Sequence, residues 1–252
     1  MADLLSVDIE ISNVFNLRPG EDLDRHAPFD ISVAATAIDG GEELIWYSTD
    51  EGGCPLSSVM TERAGELLRY LAEKQRDGFM ICAWNGLGFD FRWIGYAAGN
   101  MRLAAQIALK SFDPMFQFFN QRGFLVSLAK VAKGMGIGQT KLMSSADAPK
   151  RWHAGDYESV MDYVLGDCQM TNKIIRAIQR EGGVRWITKR GTPSFEPMPS
   201  LKSGGEVLRD PLPDQSWMNT PIPRSKFLQW LPSEFSVHQG DPNAQSRQRP
   251  QR

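Results

Sequence analysis

The stretch Leu5-Ser6-Val7-Asp8-Ile9-Glu10-Ile11 constrains this chain more than any other. Leu5, Val7, Ile9 and Ile11 alternate with polar positions, the period-2 pattern of a β-strand with one face on a core. The opposite face then carries Asp8 and Glu10. Two carboxylates that point the same way repel each other unless a positive charge lies between them. Taken alone, the stretch suits a half-exposed strand with a solvated acidic face as well as it suits a metal site. Asp90 and Asp167 arrive downstream in the positions that a divalent-metal site needs.

Of the 252 residues, 42% are hydrophobic and 23% charged, enough apolar material for a buried core. That length suits one large domain, or one domain with an extension. No run approaches the roughly 18 apolar residues of a membrane-spanning helix. The start, Met1-Ala2-Asp3-Leu4-Leu5, lacks the basic and long apolar regions of a signal peptide. Cys54, Cys82 and Cys168 are odd in number and widely spaced, which suits a reducing compartment and disfavours a thiolate zinc site. A cytoplasmic protein with no membrane partner is expected.

The net charge of -2 hides an asymmetry. Acidic residues dominate the first sixty positions, whereas Arg122, Lys130, Lys133, Lys141, Lys150 and Arg151 face only Asp147 across 121–151. This division fits an acidic metal centre beside a basic track for phosphates, and it fits ordinary surface variation equally well.

Strands are expected at Asp30–Ile38 and Glu43–Tyr47, joined by the hairpin signal Asp39-Gly40-Gly41. Ala64, Leu67, Leu68 and Leu71 mark a helix over Thr61–Lys74. Phe79–Ala83 reads as a short buried strand that leads into Trp84-Asn85-Gly86-Leu87-Gly88-Phe89-Asp90, where the glycines permit a sharp turn. Helical patterns follow from Phe89, over Leu103–Leu109 and after Ser127, and 139–155 reads as an ordered loop. The longest helix is expected over Asp156–Arg180, closed by Gly182-Gly183. The domain is therefore expected to span 1–182, followed by a Pro-rich extension over 183–237 and a disordered tail over 238–252. Trp186, Trp217 and Trp230 imply that the extension packs on the domain. Arg185-Trp186-Ile187-Thr188-Lys189-Arg190 could bind nucleic acid, or could be a strand clamped by its tryptophan.

Asp90 stands at the end of an apolar strand, a common place for site residues in open α/β sheets. Tyr163 and Asp167 lie four residues apart on the long helix and so share a face. Individually, Asp90 could be a helix cap, Tyr163 a core tyrosine and Asp167 an exposed helix residue.

Together these residues resemble the DEDD superfamily of 3′–5′ exonucleases, in the form found in the proofreading domains of family-B DNA polymerases. The likeness rests on Asp8-Ile9-Glu10, on Asn85-Gly86-Leu87-Gly88-Phe89-Asp90 and on Tyr163-Val164-Leu165-Gly166-Asp167. Asp162 stands where the histidine variant of the superfamily carries His, so Tyr163 points to the tyrosine variant, the DEDDy group. The resemblance implies an α/β, ribonuclease H-like mixed sheet flanked by helices. It also implies two divalent cations, Mg²⁺ or Mn²⁺, held by Asp8, Glu10, Asp90 and Asp167. Tyr163 would orient the attacking water, and Asn85, Phe89 and Lys141 would meet the substrate. The implied activity is hydrolysis at the 3′ end of nucleic acid, foremost single-stranded DNA. An RNA exonuclease and a nucleic-acid-binding subunit with little activity remain as alternatives.

Overall fold

The computed structural model describes residues 3–18, 21–138 and 143–235. Lys141 and the tail over 238–252 lie outside the described residues. A four-stranded mixed sheet runs in the order β3-β2-β1-β4, from β1 (Leu4–Ile11), β2 (Ile31–Ile38), β3 (Glu43–Trp46) and β4 (Met80–Cys82). β1 pairs antiparallel with β2 and parallel with β4, and β2 pairs antiparallel with β3. Helices follow as α1 (Thr61–Arg76), α2 (Asp90–Ala97), α3 (Met101–Lys110), α4 (Pro114–Arg122), α5 (Leu128–Gly134), α6 (Ala148–His153), α7 (Tyr157–Glu181) and α8 (Gly204–Val207). A separate two-stranded ribbon joins β5 (Gly183–Ile187) to β6 (Pro193–Pro197). This mixed α/β architecture agrees with the ribonuclease H-like expectation.

Both faces of the sheet are covered. Leu5, Val7, Ile9 and Ile11 join one core with Leu67, Leu68 and Leu71 of α1 and with Phe91 and Ile94 of α2. Val33, Ala35 and Ala37 of β2 meet Val160, Tyr163, Val164 and Cys168 of α7 on the other side. The small alanines let α7 approach closely. There Ser6 donates its hydroxyl to Asn172 Oδ1 at 2.7 Å, and Asn172 Nδ2 donates to Ala37 O at 3.0 Å.

This covering corrects the reading of β1 as half-exposed. Ser6, Asp8 and Glu10 alternate onto the face beneath α7, and Glu10 is only 5% exposed. Elsewhere, α6 occupies part of the span read as an ordered loop. Pro149 suits its first turn, where a missing N–H costs nothing. The aromatic-rich stretch after Asp113 forms α4, capped by the Asp113 carboxylate.

In the extension, Trp186 is buried against Phe118 and Phe124, which supports the clamped strand over a free basic surface. Arg185 is paired with Glu181. Phe227 packs between Phe116 and Phe119, while Trp230 sits partly buried on the main core. Trp217 departs from expectation: it is 61% exposed and touches Phe124 only edge-on.

A chain ending at Gly182 would lose the buried Val184, Trp186, Met198, Val207, Leu208 and Phe227. Each such side chain contributes about 1.5–3 kcal/mol on burial, and a whole domain is stable by only about 5–15 kcal/mol. Truncation at 182 should therefore yield insoluble or molten protein. A sharp thermal transition in that product would contradict the account.

Candidate active site

Three segments converge on one cavity of about 680 Å³. β1 supplies Asp8 and Glu10, the β4–α2 turn supplies Asn85, Phe89 and Asp90, and α7 supplies Tyr163 and Asp167. Glu10, Asp90, Tyr163 and Asp167 are almost fully buried, and Asp8 is half-buried. The remaining wall is largely apolar, with Phe15, Leu17, Leu23, Trp84, Leu125 and Leu128 among its members, and Lys130 adds a cation. Asp162, one position before Tyr163, is exposed on the outer side of α7.

The β4–α2 turn is built from specific local demands. Asn85 has φ of 72°, the only non-glycine among the described residues in the left-handed region. Asparagine tolerates that conformation better than most residues. The turn closes on itself, because the Gly88 and Phe89 amides both donate to Asn85 O, at 3.1 and 2.9 Å. The glycines serve space rather than a sharp backbone angle. A Cβ on Gly86 would lie 2.3 Å from Ala83 Cβ, and one on Gly88 would lie 2.8 Å from Phe227 Cδ1.

Asp90 begins α2 and accepts a hydrogen bond from the Ile9 amide at 3.2 Å, so it is tied to β1 between Asp8 and Glu10. Burial pushes its carboxyl up to about 8, and the nearby Asp113 and Asp167 charges act in the same direction. Burial also raises the Tyr163 phenol far above its ordinary value, reinforced by the charges of Asp167, Glu10 and Asp8. Cys168, behind them, is raised by burial and then by Asp8, Asp90 and Asp167. Acidic groups are thus concentrated where the three segments meet. The Tyr163 hydroxyl stays protonated at neutral pH and cannot serve there as a base.

The donors are oxygens only, which suits hard divalent cations. Among the described residues, no three His, Cys, Asp or Glu side chains form a ready-made metal-holding group. Asp8, Glu10, Asp90 and Asp167 all line the cavity.

The structure adds Asp113 as a group that shapes the site. It is 3% exposed, and its carboxylate accepts from the Asn85 amide at 3.1 Å, the Leu87 amide at 3.1 Å and the Phe116 amide at 3.0 Å. One side chain therefore caps α4 and holds the Asn85–Leu87 turn. An Asp directly before a helix-starting Pro signals the cap, but not the contact with the turn. His153 ties α6 to the end of β1 through Ser12 O at 2.8 Å, consistent with a structural role.

Burial raises Asp113 to about 6, so its protonated form is favoured in the folded chain. An unfolded carboxyl titrates near 4. Between those values the unfolded state binds fewer protons, so stability falls as pH rises, and Asp90 extends the trend toward about 8. In EDTA, the melting temperature should drop as pH is raised from about 5 to about 8. A rise over that interval would show that these carboxyls are not held in their neutral forms.

No protein family and no curated protein matches this chain. Among solved structures, it is similar to the family B DNA polymerase from the hyperthermophilic archaeon Pyrobaculum calidifontis, with a TM-score of 0.48 and 18% identity. That similarity covers 71% of this chain and 24% of the polymerase, so the chain spans about a quarter of the polymerase's length. No helix among the described residues is long and apolar enough to cross a membrane.

Proposed function

We propose that this chain is a metal-dependent 3′–5′ exonuclease that hydrolyses terminal phosphodiester bonds of nucleic acid, foremost single-stranded DNA. The observation that carries the reading is the meeting of Asp8, Glu10, Asp90, Tyr163 and Asp167, from three distant segments, on one apolar-walled cavity. Carboxylates brought together at one cleft lower their mutual repulsion when cations bind among them. A chain that retains four of them in one cleft gains from a use for them. The cavity lies within the usual range of ligand clefts, about 300–1,000 Å³, and offers both apolar wall and acidic floor. That pairing suits a nucleotide with its base on the wall and its phosphate at the floor.

Asp8, Glu10, Asp90 and Asp167 would hold two divalent cations, Mg²⁺ or Mn²⁺, which supply activation of water and charge stabilisation on the phosphate. Asp8 is the most accessible of the four carboxylates. Asp90, fixed to the Ile9 amide, supports the cluster from the turn. Tyr163, held protonated, orients the attacking water through its hydroxyl. Asn85 and Phe89, on the same turn, meet the terminal nucleotide.

The test uses purified full-length protein with end-labelled single- and double-stranded DNA and RNA, in Mg²⁺, Mn²⁺ or EDTA. Metal-dependent release of 5′-mononucleotides from 3′ ends is expected, fastest on single-stranded DNA. Faster cleavage of RNA would move the substrate to the other sugar. Binding without turnover would leave a nucleic-acid-binding protein in place of an enzyme, and cutting of a circular strand would refute the exonuclease reading.

A further inference from the structure

We propose that residues 224–231 of the C-terminal extension are a positioning element for the candidate site, bracing the Asn85–Asp90 turn from a part of the chain far from it in sequence. The role in turnover rests on the exonuclease reading above; the brace itself does not.

The contacts fall on the turn's own backbone. Trp230 Nε1 donates to Leu87 O at 2.7 Å, and shares its hydrogen with Phe227 O at 3.1 Å. The Leu87 amide is meanwhile held by Asp113. Leu87 is thus gripped at its N–H from α4 and at its C=O from a residue 143 positions away. Phe227 fills the space left by the missing side chain of Gly88, and its ring lies 5.2 Å from Phe116 and 4.7 Å from Phe119. A turn that begins with a non-glycine residue at positive φ carries strain and needs such support. Asp90 follows Leu87 by only three residues, so play in this turn passes to its carboxylate.

The segment is anchored firmly enough to brace. Arg224, 8% exposed, donates to Asn120 Oδ1 and Asp210 O, each at 3.0 Å, and to Leu208 O at 3.4 Å. Lys226 Nζ reaches Asp22 Oδ2 at 2.9 Å. The next residue, Leu23, lines the cavity, so the segment also touches the loop that walls the cleft.

The experiment compares full-length Trp230→Phe with Trp217→Phe. The first removes the donor to Leu87 O and keeps an aromatic ring. The second alters an exposed tryptophan of the same extension, bonded only locally to Asp214 O at 3.1 Å. A single neutral hydrogen bond contributes about 0.5–1.5 kcal/mol, so Trp230→Phe should speed amide hydrogen exchange over Asn85–Phe89 by about 3- to 10-fold. Exchange in β5 should stay as in the wild type. The single-turnover rate on a 3′-ended oligonucleotide in Mg²⁺ should fall by about 10-fold with substrate affinity unchanged, because small misplacements of a reacting group are costly. Trp217→Phe should alter neither. Phe227→Leu, which withdraws the ring from Gly88, should act in the same direction as Trp230→Phe.

Unchanged exchange over the turn, or acceleration spread evenly through the chain, would overturn the brace. A loosened turn with an unchanged rate would overturn its role in positioning. If the wild type hydrolyses nothing, the exonuclease reading fails while the exchange data still decide the brace.

Discussion

Asp8→Ala should abolish cleavage under Mg²⁺ while leaving the protein folded. Asp8 is the half-buried member of an otherwise buried carboxylate cluster, on an inner strand of the sheet and beneath α7. In the proposed mechanism it would be one of the four carboxylates that hold the cations, so its loss would remove a metal ligand. Its loss also relieves repulsion within the cluster. The metal-free variant should therefore melt at or above the wild-type temperature, as is common where a functional site has been kept at the expense of stability. Cleavage assays beside thermal melts in EDTA separate the two effects. Wild-type turnover by Asp8→Ala would remove the metal assignment at its centre.

The second large effect is expected at Tyr163. Tyr163→Phe removes one hydroxyl and keeps a ring that is 1% exposed in the α7 core. If that hydroxyl orients the water, kcat should fall by about 10²-fold with metal affinity nearly unchanged. Asp167→Asn, one helical turn away, should instead weaken metal binding, because a charged oxygen ligand becomes a neutral one. Both residues sit on α7, so general damage to that helix would depress both variants alike. Calorimetric metal titration with single-turnover rates distinguishes the cases. Should Tyr163→Phe cleave as fast as wild type, the tyrosine serves packing alone.

What could be read from the sequence was what depends on near neighbours. The alternation over Leu5–Ile11 specifies a strand, and Ala64, Leu67, Leu68 and Leu71 specify the buried side of α1, because side-chain direction follows local backbone period. Tyr163 and Asp167 share a face for the same reason. The grouping of the three motifs was legible by resemblance, since their order along the chain survives without any knowledge of their distances. Lys141 and the tail lie outside the described residues.

Tertiary structure alone decided the rest. Whether Glu10 is solvated or buried depends on α7, which closes over β1 from more than 140 residues away, and no local pattern in the strand encodes that. Gly86 and Gly88 look like residues for a sharp bend, yet the positive φ falls on Asn85, and the glycines make room for Ala83, Phe91 and Phe227. Asp113 looks like a cap and is one, but its contact with the Asn85–Leu87 turn exists only once α4 is docked. Trp217 and Trp230 are alike as residues in a proline-rich stretch. One is left in solvent and the other donates to Leu87 O, because burial depends on which surface the folded chain presents to each.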